Sequence, residues 1–507
     1  MLSRHLLALA VLAAATHPAH AQPAGADSSV ALTVYSSAQP GAIPAEWYRP
    51  LPGQAPPPAS SLPGFAMVRV DRPLELQAGR SQLSFTGVAA LLDPTTVRFE
   101  SLTDPAGTRV LEQDFRFDLV SVSQLLARYV DGQVRVEGGQ GDDVRQLEGT
   151  LLSAHDGLVL RDAQGEVHAL RRWGALGFGE PAGGLVTRPT LEWQLSAKRG
   201  GRHDTRVSYQ TGGITWWADY NLLFTPGRDA NSGTVDLGAW VSLLNQSGVD
   251  YPEAKLKLVA GEVNRAQPRA VPVRAEMRVM TMEADAGFEE KAFFEYHLYT
   301  LGRPVTIANN STKQVELLEG ARRVPARKQL LFDGTTGYAW RGAPMVERDF
   351  RPGGEPKVEV WLQFQNDEKS GLGMPLPAGR VRVSQLDPAD GGLEFIGEDT
   401  LGHTPRNERV RLRLGNAFDV VGERRQVDFS VDTRARVAEE DIEVTVRNRK
   451  REAVEVTVRE SLYRTAGWRL LSHSLPYEKL DAGTIEFSAR VAADAEQVIR
   501  YRVRYTW

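Results

Sequence analysis

Strict period-two alternation of apolar and polar residues recurs along the second half of this chain and points to antiparallel sheet. Val358, Val360, Leu362 and Phe364 alternate with Glu359, Trp361 and Gln363, and Val410, Leu412 and Leu414 alternate with Arg409, Arg411 and Arg413. Ile499, Tyr501, Val503, Tyr505 and Trp507 alternate with Arg500, Arg502 and Arg504. Successive strand side chains point to opposite faces, so each run makes one buried and one wetted surface, a pattern that a 3.6-residue helical period does not produce. Ile442, Val444 and Val446, then the polar stretch 448–452, then Val454, Val456 and Val458 predict a β-hairpin.

The chain opens with Arg4, an apolar run from Leu6 to Ala15, and Ala19-His20-Ala21 before Gln22. This order predicts a secretory signal peptide, residues 1–21, cleaved after Ala21, and a periplasmic or secreted destination. The chain has no Cys, which excludes a lipidated cysteine, disulfides and thiolate metal sites. No later segment offers about 18 consecutive apolar residues, so no transmembrane helix is expected after the signal. A formal net charge of −4 over 507 residues gives no electrostatic case for nucleic acid or anionic lipid.

The fold class expected is all-β. Residues 22–64 read as one strand, Ala31 to Ser36, followed by a Pro-rich linker with Pro50, Pro52, Pro56, Pro57 and Pro58. Residues 65–184 read as a small N-terminal β-domain with one short helix, Ser123 to Val130. The closely spaced, strongly turned strands after that helix suggest a small closed barrel of SH3-like or Sm-like type. A central β-sandwich is expected over 185–429 and an immunoglobulin-like sandwich over 430–507.

Six stretches carry a resemblance. They are Thr211 to Tyr220 (TGGITWWADY), Asn245 to Gly248 (NQSG) with Ala254 to Gly261 (AKLKLVAG), Phe294 to Thr300 (FEYHLYT), Gly371 to Gly379 (GLGMPLPAG) and Gly415 to Gly422 (GNAFDVVG). Together these resemble a secreted bacterial family known as a domain of unknown function, DUF4139, related to mucoidy-inhibitor-A-like proteins. The resemblance spans about residues 185 to 507 and implies a β-rich envelope protein. It brings no activity and no catalytic residues. The long coiled coil of mucoidy-inhibitor-A-like members has no counterpart here, because no sustained heptads occur.

The standard catalytic motifs are absent: no Gly-x-Ser-x-Gly, His-Glu-x-x-His, phosphate loop or calcium loop. Six His outside the leader are scattered with no pair at metal-ligand spacing, so no metal and no cofactor are expected. The strand around Trp216 is the strongest binding candidate. Alternation places Ile214, Trp216, Ala218, Tyr220 and Leu222 on one face and Trp217, Asp219 and Asn221 on the other, where an aromatic plate beside a carboxylate and an amide suits a sugar ring or a peptide. The competing reading is that both Trp are core. Glu295 and His297 are expected on one face of a strand, opposite Phe294, Tyr296 and Leu298, as a base with its orienting carboxylate or as a solvated polar pair. Gly371 to Gly379 is either an apolar partner-binding tip or a turn tucked into the sandwich.

These features favour an exported envelope protein acting as a non-catalytic binding or scaffolding module, with an envelope protein or glycan as partner. The alternatives are an envelope polysaccharide hydrolase using a carboxylate pair and an outer-membrane β-barrel whose last strand turns Tyr501, Val503, Tyr505 and Trp507 to lipid.

Overall fold

A computed structural model describes residues 28–36, 41, 43–49, 53, 57–138, 145–179, 185–261, 288–293, 296–335, 342–348 and 356–507. It is all-β, as the alternation requires, and its sheets draw strands from distant parts of the chain. Ser29–Tyr35 lies between Phe65–Leu76, antiparallel, and Tyr251–Ala260, parallel. Gly201–Thr211 then joins Phe65–Leu76 to Leu92–Ser101 in the same eight-stranded sheet. A three-stranded sheet, Gly79–Thr86, Thr190–Ala197 and Thr108–Arg116, packs on it through Trp193, whose ring meets Phe85 and Phe99.

The helix runs Val122–Arg128, with the Ser121 hydroxyl capping Gln124 N–H at 3.2 Å. It precedes five antiparallel strands between Gln133 and Phe178, which enclose a small core around Val136, Leu151 and Leu160. The expected closed barrel is corrected to an open sheet. Its edge strands, Val167–Leu170 and Leu176–Phe178, are four and three residues long and do not pair with each other.

The ten-stranded sheet contains the Trp217 strand (Ile214–Pro226), the Trp240 strand (Ser232–Asn245), the Lys328 strand (Ser311–Asp333) and the Arg380 strand (Gly379–Leu386). Leu393–Leu401 continues from the Arg380 strand; Val358–Gln365 and Arg409–Asn416 continue from the Lys328 strand. Register shifts bend the sheet, one of them beside Arg323, which has φ +54 and donates its N–H to Asp236 at 2.7 Å. The outer strands thereby curl until Leu393–Leu401 and Arg409–Asn416 meet without a ladder. A Cβ at Gly397 would lie 2.6 Å from the Leu414 carbonyl oxygen, so only glycine permits this approach.

The Lys328 strand is 23 residues long and pairs first with the Trp240 strand, then in parallel with Val454–Ser461. It therefore runs from the central core into the C-terminal sandwich, whose second sheet is Val420–Asp432, Val437–Asn448, Glu496–Thr506 and Gly467–His473.

Two expectations are corrected here. Val437–Asn448 and Val454–Ser461 are not a hairpin: the first pairs with strands of the four-stranded sheet and the second with Thr484–Val491 in the ten-stranded sheet. Their apolar faces meet across the sandwich. The connection arches because Asn448 Nδ2 donates to the carbonyls of Glu452 at 2.8 Å, Ala492 at 2.9 Å and Val491 at 3.3 Å. Second, Tyr501, Val503 and Tyr505 do not face lipid. They are buried in the sandwich, with the Tyr501 hydroxyl donating to Glu460 at 2.6 Å. Among the described residues no helix is long and apolar enough to cross a membrane.

Candidate polar site on the outer face of the Trp217 strand

Trp216 points inward and is buried, its ring 6.4 Å from Tyr299 of the eight-stranded sheet. Trp217, Asp219 and Asn221 take the outer face, half-buried, buried and exposed respectively. The Pro-rich stretch reaches this face. Its short helix Ala45–Tyr48 and turn Ala59–Ser61 bring Ile43, Trp47 and Leu62 onto Leu244 and Trp217, with the Tyr48 ring 5.4 Å from that of Trp217. The chain thus covers one end of the aromatic plate itself, and Asp219 lies at the border of the cover.

The Asp219 side chain is 9% exposed. Its Oδ2 accepts from Trp217 Nε1 at 2.8 Å and from Ser242 Oγ at 2.7 Å, and Gln314 Nε2 donates to that Ser242 oxygen at 3.1 Å. Its Oδ1 is buried with no hydrogen bond, although Arg380 Nη2 stands at 3.7 Å and Arg382 Nη1 at 3.8 Å. Register explains the gathering: Asp219 is opposite Arg380 on one side and Trp240 on the other, while Asn221 is opposite Arg382. Glu398 lies 3.1 Å from Arg382 Nε, and the Tyr48 hydroxyl accepts from Arg380 Nη2 at 3.3 Å. Burial weakens the Arg380 charge, but the Tyr48 oxygen and the carboxylates of Asp219 and Glu398 more than offset this and hold its pKa above the usual value.

Trp240, 40% exposed, is the cross-strand neighbour of Asp219. Sequence reasoning missed Trp240, Arg380, Arg382 and Tyr48. For Trp240 a signal exists: Val235, Leu237, Ala239, Val241 and Leu243 are the apolar face of an alternating strand, and Trp240 is a large aromatic on the polar one.

His297 is not part of this site. Glu295 lies outside the described residues. His297 stands on Tyr296–Leu301, opposite Ala260 and Ala292, in the edge hairpin of the eight-stranded sheet. It is half-buried and has the parity of Tyr299 and Leu301, which are buried. The Gly371 to Gly379 loop also turns inward. Leu376 is buried, Tyr220 OH donates to Pro377 O at 2.7 Å, and Tyr299 OH donates to Pro375 O at 3.0 Å.

Two further clusters are accounted for locally. Asp162, Glu166 and His168 place ligand-type atoms within 4.8 Å of one another. Asp162 Oδ1 accepts the N–H groups of Gln164 and Glu166, and its Oδ2 is 2.8 Å from His168 Nε2, an arrangement that clamps the turn. Glu440 and Glu460, both without exposed surface, are engaged by Arg464 and Arg424 inside the C-terminal sandwich, where no substrate reaches them.

Residues 205–507 match the model of a family described as a domain of unknown function, DUF4139. No curated protein and no solved structure matches the chain.

Proposed function

The chain belongs to the DUF4139 family, whose function is unknown, and from that premise we propose that it is an exported, non-catalytic binding module of the bacterial envelope that takes a glycan on the outer face of the Trp217 strand. The observation that carries this reading is the Asp219 oxygen, buried and without a hydrogen bond, near two guanidinium groups of one neighbouring strand, with the exposed Trp240 opposite Asp219 on the other. Sugar hydroxyls donate to carboxylates and accept from guanidinium, and pyranose faces are apolar enough to lie on an indole. The strands that carry these groups are hydrogen-bonded on both sides, so the site is held rigid before a ligand arrives. Export is supported by the leader-like first 21 residues.

The test is co-sedimentation with purified peptidoglycan sacculi, comparing the native chain with Trp240→Ala and Asp219→Asn. Saturable binding that falls at least tenfold in both variants is the expected result. Equal sedimentation of all three chains, or none of any, rejects this site.

A further inference from the structure

The curl of the ten-stranded sheet leaves a mouth at one end, a cavity of about 410 Å³. Small-molecule sites are commonly concave, largely apolar and about 300–1,000 Å³. Every strand of the curl contributes. Phe224 comes from the Trp217 strand, Val360 and Leu362 from Val358–Gln365, Ile396 from Leu393–Leu401 and Leu414 from Arg409–Asn416. The pocket lies on the inner side of the sheet, opposite the face that carries Asp219, because Phe224 and Leu362 belong to the central core.

One cation enters this apolar lining. Along the Lys328 strand the inward positions are Val324, Ala326, Lys328, Leu330 and Phe332. The first two pack in the central core and the last two in the C-terminal core, so Lys328 stands where the cores meet. Its backbone is pinned there. Lys328 N–H donates to Asn231 O at 2.8 Å, and Asn231 Nδ2 donates to Lys328 O at 3.0 Å and to Glu455 O at 3.2 Å. The Lys328 ammonium has no ion pair among the described residues. Asp229 shares the lining, but its carboxylate accepts the N–H groups of Asn231 and Ser232. Glu452 and Arg228, one of each sign, are exposed at the rim. Burial, with Lys450 adding to it, pulls the Lys328 pKa below its usual value, and the Glu452 and Asp229 carboxylates offset this only in part.

We propose that this mouth binds an amphipathic monocarboxylate, its apolar body against Phe224, Leu362, Ile396 and Leu414 and its carboxylate on Lys328. The apolar walls supply hydrophobic burial without selecting a head group, and the single inward cation selects the charge. The glycan site is not involved, and either reading stands if the other fails.

Isothermal titration of the native chain with decanoate and with 1-decanol, which share a chain length and differ in head charge, is the test. Decanoate is expected to bind at least tenfold more tightly. Lys328→Met is expected to abolish that preference and Lys328→Arg to retain most of it, with unfolding midpoints recorded to verify folding. Absence of saturable decanoate binding, equal affinity for the two probes in the native chain, or unchanged preference in a folded Lys328→Met variant would overturn the assignment.

Discussion

Arg464 Nη2 donates to Glu440 Oε1 at 3.0 Å, and neither side chain has any exposed surface. The guanidinium also lies over the Phe429 ring, and its Nη1 donates to the carbonyls of Met345 at 3.0 Å and Glu347 at 2.9 Å. One buried cation thus fastens the segment 342–348 to the C-terminal sandwich. Removing one partner leaves the other charge uncompensated, which costs about 3–5 kcal/mol. Glu440→Ala and Arg464→Ala are each expected to lower stability by that amount in urea denaturation. The double variant is expected to lose less than the sum, and an additive loss would show that the pair is not coupled.

Arg72 is a half-buried cation of the opposite kind. Its Nε and Nη2 are enclosed without hydrogen bonds, its guanidinium sits 3.7 Å from the Phe85 ring centroid, and burial draws its pKa down to about 10. Unsatisfied buried donors cost about 1–3 kcal/mol, against about 0.5–2 kcal/mol for the ring contact. Arg72→Met is therefore expected to leave stability unchanged or raise it by about 1 kcal/mol. A loss above about 1 kcal/mol in the same denaturation assay would contradict this account.

Glu439 accepts from Arg504 Nε at 2.6 Å and Arg502 Nη2 at 2.7 Å, and these bonds hold its carboxyl below the ordinary value of 4.5. A depressed carboxyl pKa contributes stability that is fully present above the unfolded value and lost as pH falls through the folded one. The melting temperature is expected to drop as pH falls below about 4.5, and Glu439→Gln is expected to make that acid limb shallower while lowering stability at pH 7. Parallel acid limbs in the two proteins would assign the loss to other groups.

Asn448 holds the arch between the two sheets through three carbonyls and, at its own Oδ1, the Lys450 N–H at 3.0 Å. Its replacement by Ala strands these groups and is expected to cost about 2–3 kcal/mol. Asn448→Asp keeps the acceptor and loses the donors, so calorimetry is expected to show a similar loss; a near-native midpoint would show that the donors are not what shapes the arch.

The site was legible to the extent that alternation governs it. Trp216 facing in and Trp217, Asp219 and Asn221 facing out follow from the period of two, which is a local property of the backbone. Arg380 and Arg382 were not legible as partners of Asp219, because they arrive from about 160 residues away through a parallel pairing that no local pattern encodes. His297 does fall on the face opposite Tyr296 and Leu298, but apolar residues on both sides of that strand, Tyr296 and Leu298 against Tyr299 and Leu301, left hydrophobicity unable to say which side meets the core.

The sequence by itself determined that this chain is β, which faces of its clearest strands are buried, and that it has no thiol chemistry. Those properties depend on residue type and on the two-residue repeat of extended backbone. Which strands meet was decided only in the tertiary structure. The same alternation serves a hairpin or an arch, a flat sheet or a curled one, and the choice fell to contacts between distant residues: Asn448 on the Ala492 carbonyl, Gly397 against Leu414, and Trp47 of the Pro-rich stretch in one cluster with Trp217.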